Sequence, residues 1–144
     1  MVKICIIDGQ GGGIGATVIK RLREFFDEQV EIIALGTNAI ATAQMLKARA
    51  NRGASGENAI ARTVEQMDMI IGPVGIIMAN AMMGEVTPRI AEAVASCPAK
   101  KYLIPLSQEN ADIIGTASVP LPHLIDELIE IHLKPVFTGQ STDK

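Results

Sequence analysis

The sequence of 144 residues has no tryptophan, one tyrosine and three phenylalanines. A core without aromatic bulk must be assembled from Ile, Leu, Val, Ala and Met. That argues against an aromatic-cornered β-sandwich and suits a parallel sheet covered by helices. Only two cysteines are present, Cys5 and Cys97, too few for a disulfide framework or a metal cluster. His123 and His132 cannot turn to one metal from a single helix, so no metal site is expected. Basic charge is also scarce. Thirteen Lys and Arg against 16 Asp and Glu leave a net charge of −3, with no general pull toward nucleic acid or an anionic membrane. No apolar run approaches the ~20 residues of a membrane span. Met1-Val2-Lys3-Ile4-Cys5 lacks the ordered regions of a signal peptide. The expectation is a cytoplasmic protein with neither a nucleic-acid nor a membrane partner.

What the chain does have is glycine, five of them between Gly9 and Gly15. Ile4 to Ile7 reads as the end of a strand over Lys3–Ile7. Asp8-Gly9-Gln10-Gly11-Gly12-Gly13-Ile14-Gly15 follows as a turn, and a helix runs from about Gly15 to Phe26. Strand, glycine turn and helix together aim backbone N–H groups and a helix N-terminus at a phosphate. The helix is expected to bury Val18, Leu22, Phe25 and Phe26 and to keep Lys20, Arg21 and Arg23 outside.

The alternation continues. A second strand covers Val30–Leu35 and ends at Gly36, after which Thr37 or Asn38 caps a helix to about Arg49. Asn51–Gly56 reads as a loop, with Ser55 capping a short helix to about Gln66. A third strand spans Asp68–Ile71 and closes on Gly72-Pro73-Val74-Gly75. Ile76–Gly84, apolar nearly all round, is expected to be a buried or interface helix, with a hairpin across Gly72–Gly75 as the alternative, and it prompts the expectation of a homo-oligomer. Thr87-Pro88 opens a helix to about Ser96. Lys101–Leu106 and Asp112–Gly115 complete five strands, and a last helix runs from Pro120 or Pro122 to Leu133. His132 falls on its apolar face with Leu121, Leu124, Ile125 and Leu128, as a core or helix-end histidine.

The fold class that follows is α/β, a single-domain, doubly wound, mostly parallel sheet of about five strands, Rossmann-like, over residues 1–134. A polar tail covers residues 135–144. Right-handed crossovers allow the strand orders 3-2-1-4-5 and 2-1-3-4-5. In either order Asp8–Gly13, Gly36–Asn38, Gly72–Gly75 and Ser107–Asn110 share the C-terminal rim, where open α/β sheets bind ligands.

Three templates fit the glycine loop. Gly11, Gly13 and Ala16 match the dinucleotide pattern G-x-G-x-x-G/A. Gly9, Gly13, Ile14 and Gly15 have a spacing that resembles the cofactor loop of short-chain dehydrogenases, over residues 4–26. That resemblance implies a pyrophosphate lying against these glycines. The family's Tyr-x-x-x-Lys has no counterpart, since Tyr102 is followed four residues on by Leu106. Gly12-Gly13-Ile14-Gly15 with Thr17 resembles the P-loop of the nitrogenase-iron-protein and chromosome-partitioning ATPases. Gly11 and Ala16 stand where that resemblance needs lysines, so phosphoryl transfer is not expected. The whole chain resembles a small bacterial family of Rossmann-like proteins known as a domain of unknown function. Leu35-Gly36-Thr37-Asn38-Ala39, Ile71-Gly72-Pro73-Val74-Gly75 and Gly84-Glu85-Val86-Thr87-Pro88 carry the likeness, which implies the fold and no activity.

The candidate cofactor-binding residues are Asp8, Gly9, Gln10, Gly11, Gly12, Gly13, Ile14, Gly15, Thr37, Asn38, Gly72 and Pro73. Asp8 could orient a ribose, hold magnesium or bond the turn backbone, with the backbone favoured. An NAD site usually has an acid at the end of its second strand, where this chain has Gly36-Thr37-Asn38. Thr37 and Asn38 could hold a ribose hydroxyl or a 2′-phosphate, with charge from Arg49 and Arg52 if that helix end folds back. Glu109 and Asn110 are candidate substrate contacts; Ser55 lacks a nucleophile-elbow setting. The sequence thus points to a protein that binds a nucleotide or dinucleotide, NAD(P) or a related phosphate-containing ligand. A nucleotide-sensing module without catalysis and a small phosphometabolite enzyme are the alternatives.

Overall fold

The computed structural model describes residues 1–106 and 110–139. The chain divides into two compact units, Met1–Ile113 and Ile114–Lys144. In the first, β1 (Val2–Asp8), β2 (Val30–Gly36), β3 (Arg52–Ser55), β4 (Met69–Pro73) and β5 (Lys100–Ile104) form one sheet in the order β3-β2-β1-β4-β5. All four pairings are parallel. The helices between them are α1 (Gly13–Phe26), α2 (Ala39–Lys47), α3 (Glu57–Thr63) and α4 (Pro88–Ser96). This is the expected Rossmann-like α/β architecture, with 3-2-1-4-5 as its strand order.

Period-two alternation puts the central strands into two cores. Cys5, Ile7, Ile33 and Leu35 pack with Ile60 of α3 and with Ile90 and Val94 of α4. Ile4, Ile6 and Ile32 point the other way and are fully buried, as are Val18, Ile19 and Leu22 of α1 and Met45 of α2. Each such aliphatic side chain contributes roughly 1.5–3 kcal/mol on burial. Tyr102 lies in β5 beside Ile71, as expected of a strand residue.

Several local expectations are corrected. Residues 52–55, read as loop, form β3, an edge strand whose Arg-Gly-Ala-Ser has no apolar alternation to reveal it. Ser55 therefore caps no helix; Gly56 stands at the α3 N-cap position with φ +96°. The strand expected at Asp112–Gly115 is absent: Ile114-Gly115 is a turn, and Gly115 has φ +93°. The apolar helix expected at Ile76–Gly84 is also absent. Val74–Ile77 makes one 3-10 turn, and turns then run through Glu85. Asn80, Met82, Met83 and Gly84 all have positive φ there, which no right-handed helix permits. Thr87 does cap α4, accepting the Ile90 amide at 3.2 Å ahead of Pro88.

The second unit contains α5 (Leu121–Glu127), a π-helical turn at Leu128–Leu133 and α6 (Lys134–Thr138), so helix continues past the expected end at Leu133. Pro135 has no amide to give the preceding turn, a common cause of such a widening. The wider turn rotates His132 to an exposed position, while Ile125, Leu128, Ile129 and Leu133 are buried. No helix among the described residues is long and apolar enough to cross a membrane.

Arg23, expected outside, is 3% exposed. Its Nε donates to the Arg49 carbonyl at 2.9 Å, and one terminal nitrogen donates to the carbonyls of Asp27 at 2.7 Å and Val30 at 3.1 Å. The other donates to Asn51 Oδ1 at 2.6 Å, which also accepts the Ile32 amide at 2.7 Å. One guanidinium thus ties the end of α1, the start of β2 and the approach to β3. Phe25, expected inside, is 42% exposed instead. Replacing Arg23 with Met, which keeps the stem and removes every donor, is expected to cost about 3 kcal/mol in urea unfolding. Arg23→Lys should recover only part of that loss, because one ammonium cannot span the planar fork.

Candidate functional site

The register aligns Asp8 with Gly36 and Gly36 with Ser55, so these residues mark the C-terminal rim of the sheet. From that rim Asp8 turns its side chain beneath the N-terminus of α1. Its carboxylate is 3% exposed and accepts the Gly9 amide at 2.8 Å and the Gly15 amide at 2.7 Å. Burial pushes its pKa up. The amides of Gly15, Gly9 and Ile14 pull it back down, and the negative charge of Glu85 adds to the rise. The backbone role favoured for Asp8 is the one observed.

The glycines of the loop divide by cause. Gly12 has φ +75°, and a Cβ there would lie 2.8 Å from the Ala41 backbone. A Cβ on Gly15 would sit 2.6 Å from Met45 Sδ, and one on Gly9 would meet Thr37 Oγ1 at 2.5 Å and Met82 Sδ at 2.7 Å. Folding accounts for those three. Gly11 and Gly13 are different: a Cβ on either meets nothing within 4 Å, and neither has positive φ. Their amides donate to no described residue, whereas the Gly12 amide closes the turn onto the Gly9 carbonyl at 2.9 Å. Open space and two donors unpaired among the described residues therefore lie together at the start of α1.

The residue that organises the rim is one that sequence reading passed over. Glu85 Oε1 accepts the Gln10 amide at 2.8 Å, the Thr37 hydroxyl at 2.6 Å and the Asn38 side-chain amide at 2.9 Å. Asn38 also donates to the Gln10 carbonyl at 3.0 Å and, through Oδ1, caps α2 at the Ala41 amide at 2.8 Å. Asn38 is thereby committed to capping and bracing. Partial burial works to raise the Glu85 pKa, but the donors Thr37, Gln10 and Asn38 outweigh it and hold the carboxyl below its ordinary value. Glu85 is carried by a self-bonded turn, in which the Asn80 amide donates to the Val86 carbonyl at 2.7 Å and the Val86 amide to the Ala81 carbonyl at 3.1 Å. Ala81 and Val86 anchor that turn in the core. A carboxylate between a glycine and a buried valine, just ahead of the recognised Thr87-Pro88 cap, was the available signal.

Gly36-Thr37-Asn38 supplies no acid of its own, but Glu85 brings one to the end of β2. The acid comes from the β4–α4 connection, not from β2. Arg49 and Arg52 do not approach the rim. Arg49 pairs with Glu28 at 2.9 Å and Asp27 at 3.5 Å near the start of β2, and Arg52 pairs with Glu31 at 3.3 Å. Gly72 and Pro73 belong to β4, and a Cβ on Gly72 would lie 2.5 Å from the Ile7 carbonyl oxygen, so packing explains that glycine. Ser107 and Glu109 lie outside the described residues, and Asn110 is exposed. Among the described residues no group of three or more His, Cys, Asp or Glu side chains is placed to hold a metal ion.

A protein-family model described as a domain of unknown function, DUF3842, matches residues 3–136. The chain belongs to that family. No curated protein matches the sequence.

Because its folded pKa is lowered, the Glu85 carboxylate stabilises the fold above its ordinary value of 4.5 and loses that effect as pH falls through the lowered one. Glu85→Ala is expected to lower stability by about 1 kcal/mol at neutral pH, as for one partly exposed charge-assisted cluster. The gap between wild type and variant should close only below pH 4.5 in thermal melts.

Proposed function

We propose that this member of the family binds a nucleotide or dinucleotide through its phosphates, with the backbone from Gly11 to Gly13 as the contact. The observation that carries the reading is the pair Gly11 and Gly13. Folding explains the neighbouring glycines and leaves these two with room and unspent amides at a helix N-terminus. The ligand's charge is limited by the loop's own carboxylates. Asp8 already takes the inner amides, and Glu85 takes the Gln10 amide. A diphosphate esterified at both ends, as in NAD(P), with one negative charge on each phosphate, suits such a loop better than the terminal phosphate of ATP, which needs a lysine.

Binding without catalysis is favoured by Asp8, whose carboxylate is spent on backbone amides and so is poorly placed to act as a base. A nucleotide-sensing role in the cytoplasm is the form this reading takes, with a small phosphometabolite reaction as the second. Self-association is proposed with it from the apolar composition of residues 76–83, although the fold buries Ile76 and Ala81 and exposes chiefly Met83.

The test uses two substitutions that the fold tolerates. Gly13→Ala adds a methyl in open space at the first helical residue, so the unliganded protein should keep its melting temperature or gain up to about 1 kcal/mol. Wild type should be stabilised by at least one of NAD(H), NADP(H), ATP, GTP or a sugar phosphate in differential scanning. Gly13→Ala and Gly11→Ala should each weaken that shift, and an unchanged shift in both would place the ligand elsewhere.

A further inference from the structure

A ligand in an open sheet of order 3-2-1-4-5 lies beyond the C-terminal ends of the strands, with its ribose toward the end of β2 when its phosphates rest on the β1–α1 turn. Glu85 stands at that point. Its Oε1 is 2.6 Å from the hydroxyl of Thr37, the first residue after β2, and 2.8 Å from the amide of Gln10 within the turn itself. Three donors hold that oxygen, which fixes the carboxylate group in place. The second oxygen, Oε2, has no partner among the described residues.

We infer that Glu85 is the specificity residue of this site, and that it selects a nucleotide with a free 2′,3′-diol over one with a 2′-phosphate. The inference rests on the phosphate site proposed above. Its chemistry is simple. A vicinal diol offers two O–H donors to a carboxylate that has an oxygen to spare. A 2′-phosphate offers acceptors and negative charge to the same carboxylate, which no Lys or Arg among the described residues pairs with. Arg49 and Arg52, the arginines expected to supply that charge, are paired with Glu28, Asp27 and Glu31 instead. Like charges brought together at a contact cost enough to exclude a partner. The held-down pKa of Glu85 keeps the group ionised at neutral pH.

Glu85 also differs in origin from the acid that usually performs this task. It reaches the end of β2 from the turn between β4 and α4, and it makes that turn, the glycine loop and the α2 cap one bonded unit. Selectivity and rim geometry therefore depend on the same side chain. Glu85→Gln separates them, because the amide keeps an oxygen for the three donors while it loses the charge and turns the spare acceptor into an N–H donor.

Isothermal titration of the full chain with NAD⁺ and with NADP⁺ tests the assignment, with circular dichroism to verify that Glu85→Gln folds. Wild type should bind NAD⁺ about tenfold or more tightly than NADP⁺. Glu85→Gln should narrow that ratio from both sides, weakening NAD⁺ through the lost acceptor and improving NADP⁺ through the lost charge. Equal affinities in wild type, or a ratio unchanged by the substitution, would overturn the role of Glu85 and leave the phosphate site standing. Failure of wild type to bind either dinucleotide would overturn the inference too. A melting shift from any other phosphate ligand, lost in Gly13→Ala, would then show that the site itself survives.

Discussion

Seven residues of glycine-rich chain are bent around the carboxylate of Asp8, which accepts amides from Gly9 on one side and Gly15 on the other. The geometry of the rim depends on that arrangement. It sets where α1 begins, and it spends the inner donors of the helix N-terminus on the protein's own anion. It leaves the amides of Gly11 and Gly13 without an acceptor among the described residues. A loop built this way is self-supporting before any ligand arrives, and its remaining capacity for negative charge is small. The raised pKa of Asp8 expresses the same tension, a buried charge partly compensated by backbone dipoles.

Glu85 adds a second level of organisation. Asp8 shapes the loop from beneath, and Glu85 fastens it laterally to the end of β2 and to the α2 cap. The fastening comes from a turn with Asn80, Met82 and Met83 in left-handed conformation, a costly backbone held by its own hydrogen bonds and by buried Ala81 and Val86. Thr37 and Asn38 lose much of their freedom to contact a ligand directly and gain a role in positioning the acid.

Most of the fold could be read from the chain because its signals are local. The apolar runs of β1, β2 and β4 and the Thr87-Pro88 cap each lie within a few consecutive residues. What escaped was non-local. Nothing in Arg52-Gly53-Ala54-Ser55 marks a strand; it becomes one because β2 offers an edge and Arg23 with Asn51 aims the chain at it. Arg23 itself is a charged residue in a surface pattern, and only the tertiary fold supplies the three carbonyls that make burial acceptable. Residues 76–84 misled for a related reason. An apolar stretch fits a helix or a buried turn equally well, and backbone sign at Asn80 and Met82 decides between them. The candidate site followed the same division, with the glycine loop plain in sequence and Glu85 visible only once distant segments were brought together.

The position of β1 in the sheet has a consequence for the order in which the molecule can be made. It is made before the other four strands of its sheet and is the central one when the sheet is finished, with β2 on one side and β4 on the other. Ile4 waits for Met69, and Ile6 for Ile71, before the second edge is covered. Until then Ile4-Cys5-Ile6-Ile7 has one bare flank, a short β-prone segment of the kind that pairs readily with a neighbouring nascent chain. Lys3 and Asp8 bracket those four residues with charge, as gatekeepers would. Asp8 thus has the position of a gatekeeper beside the strand as well as the carboxylate that braces the glycine loop.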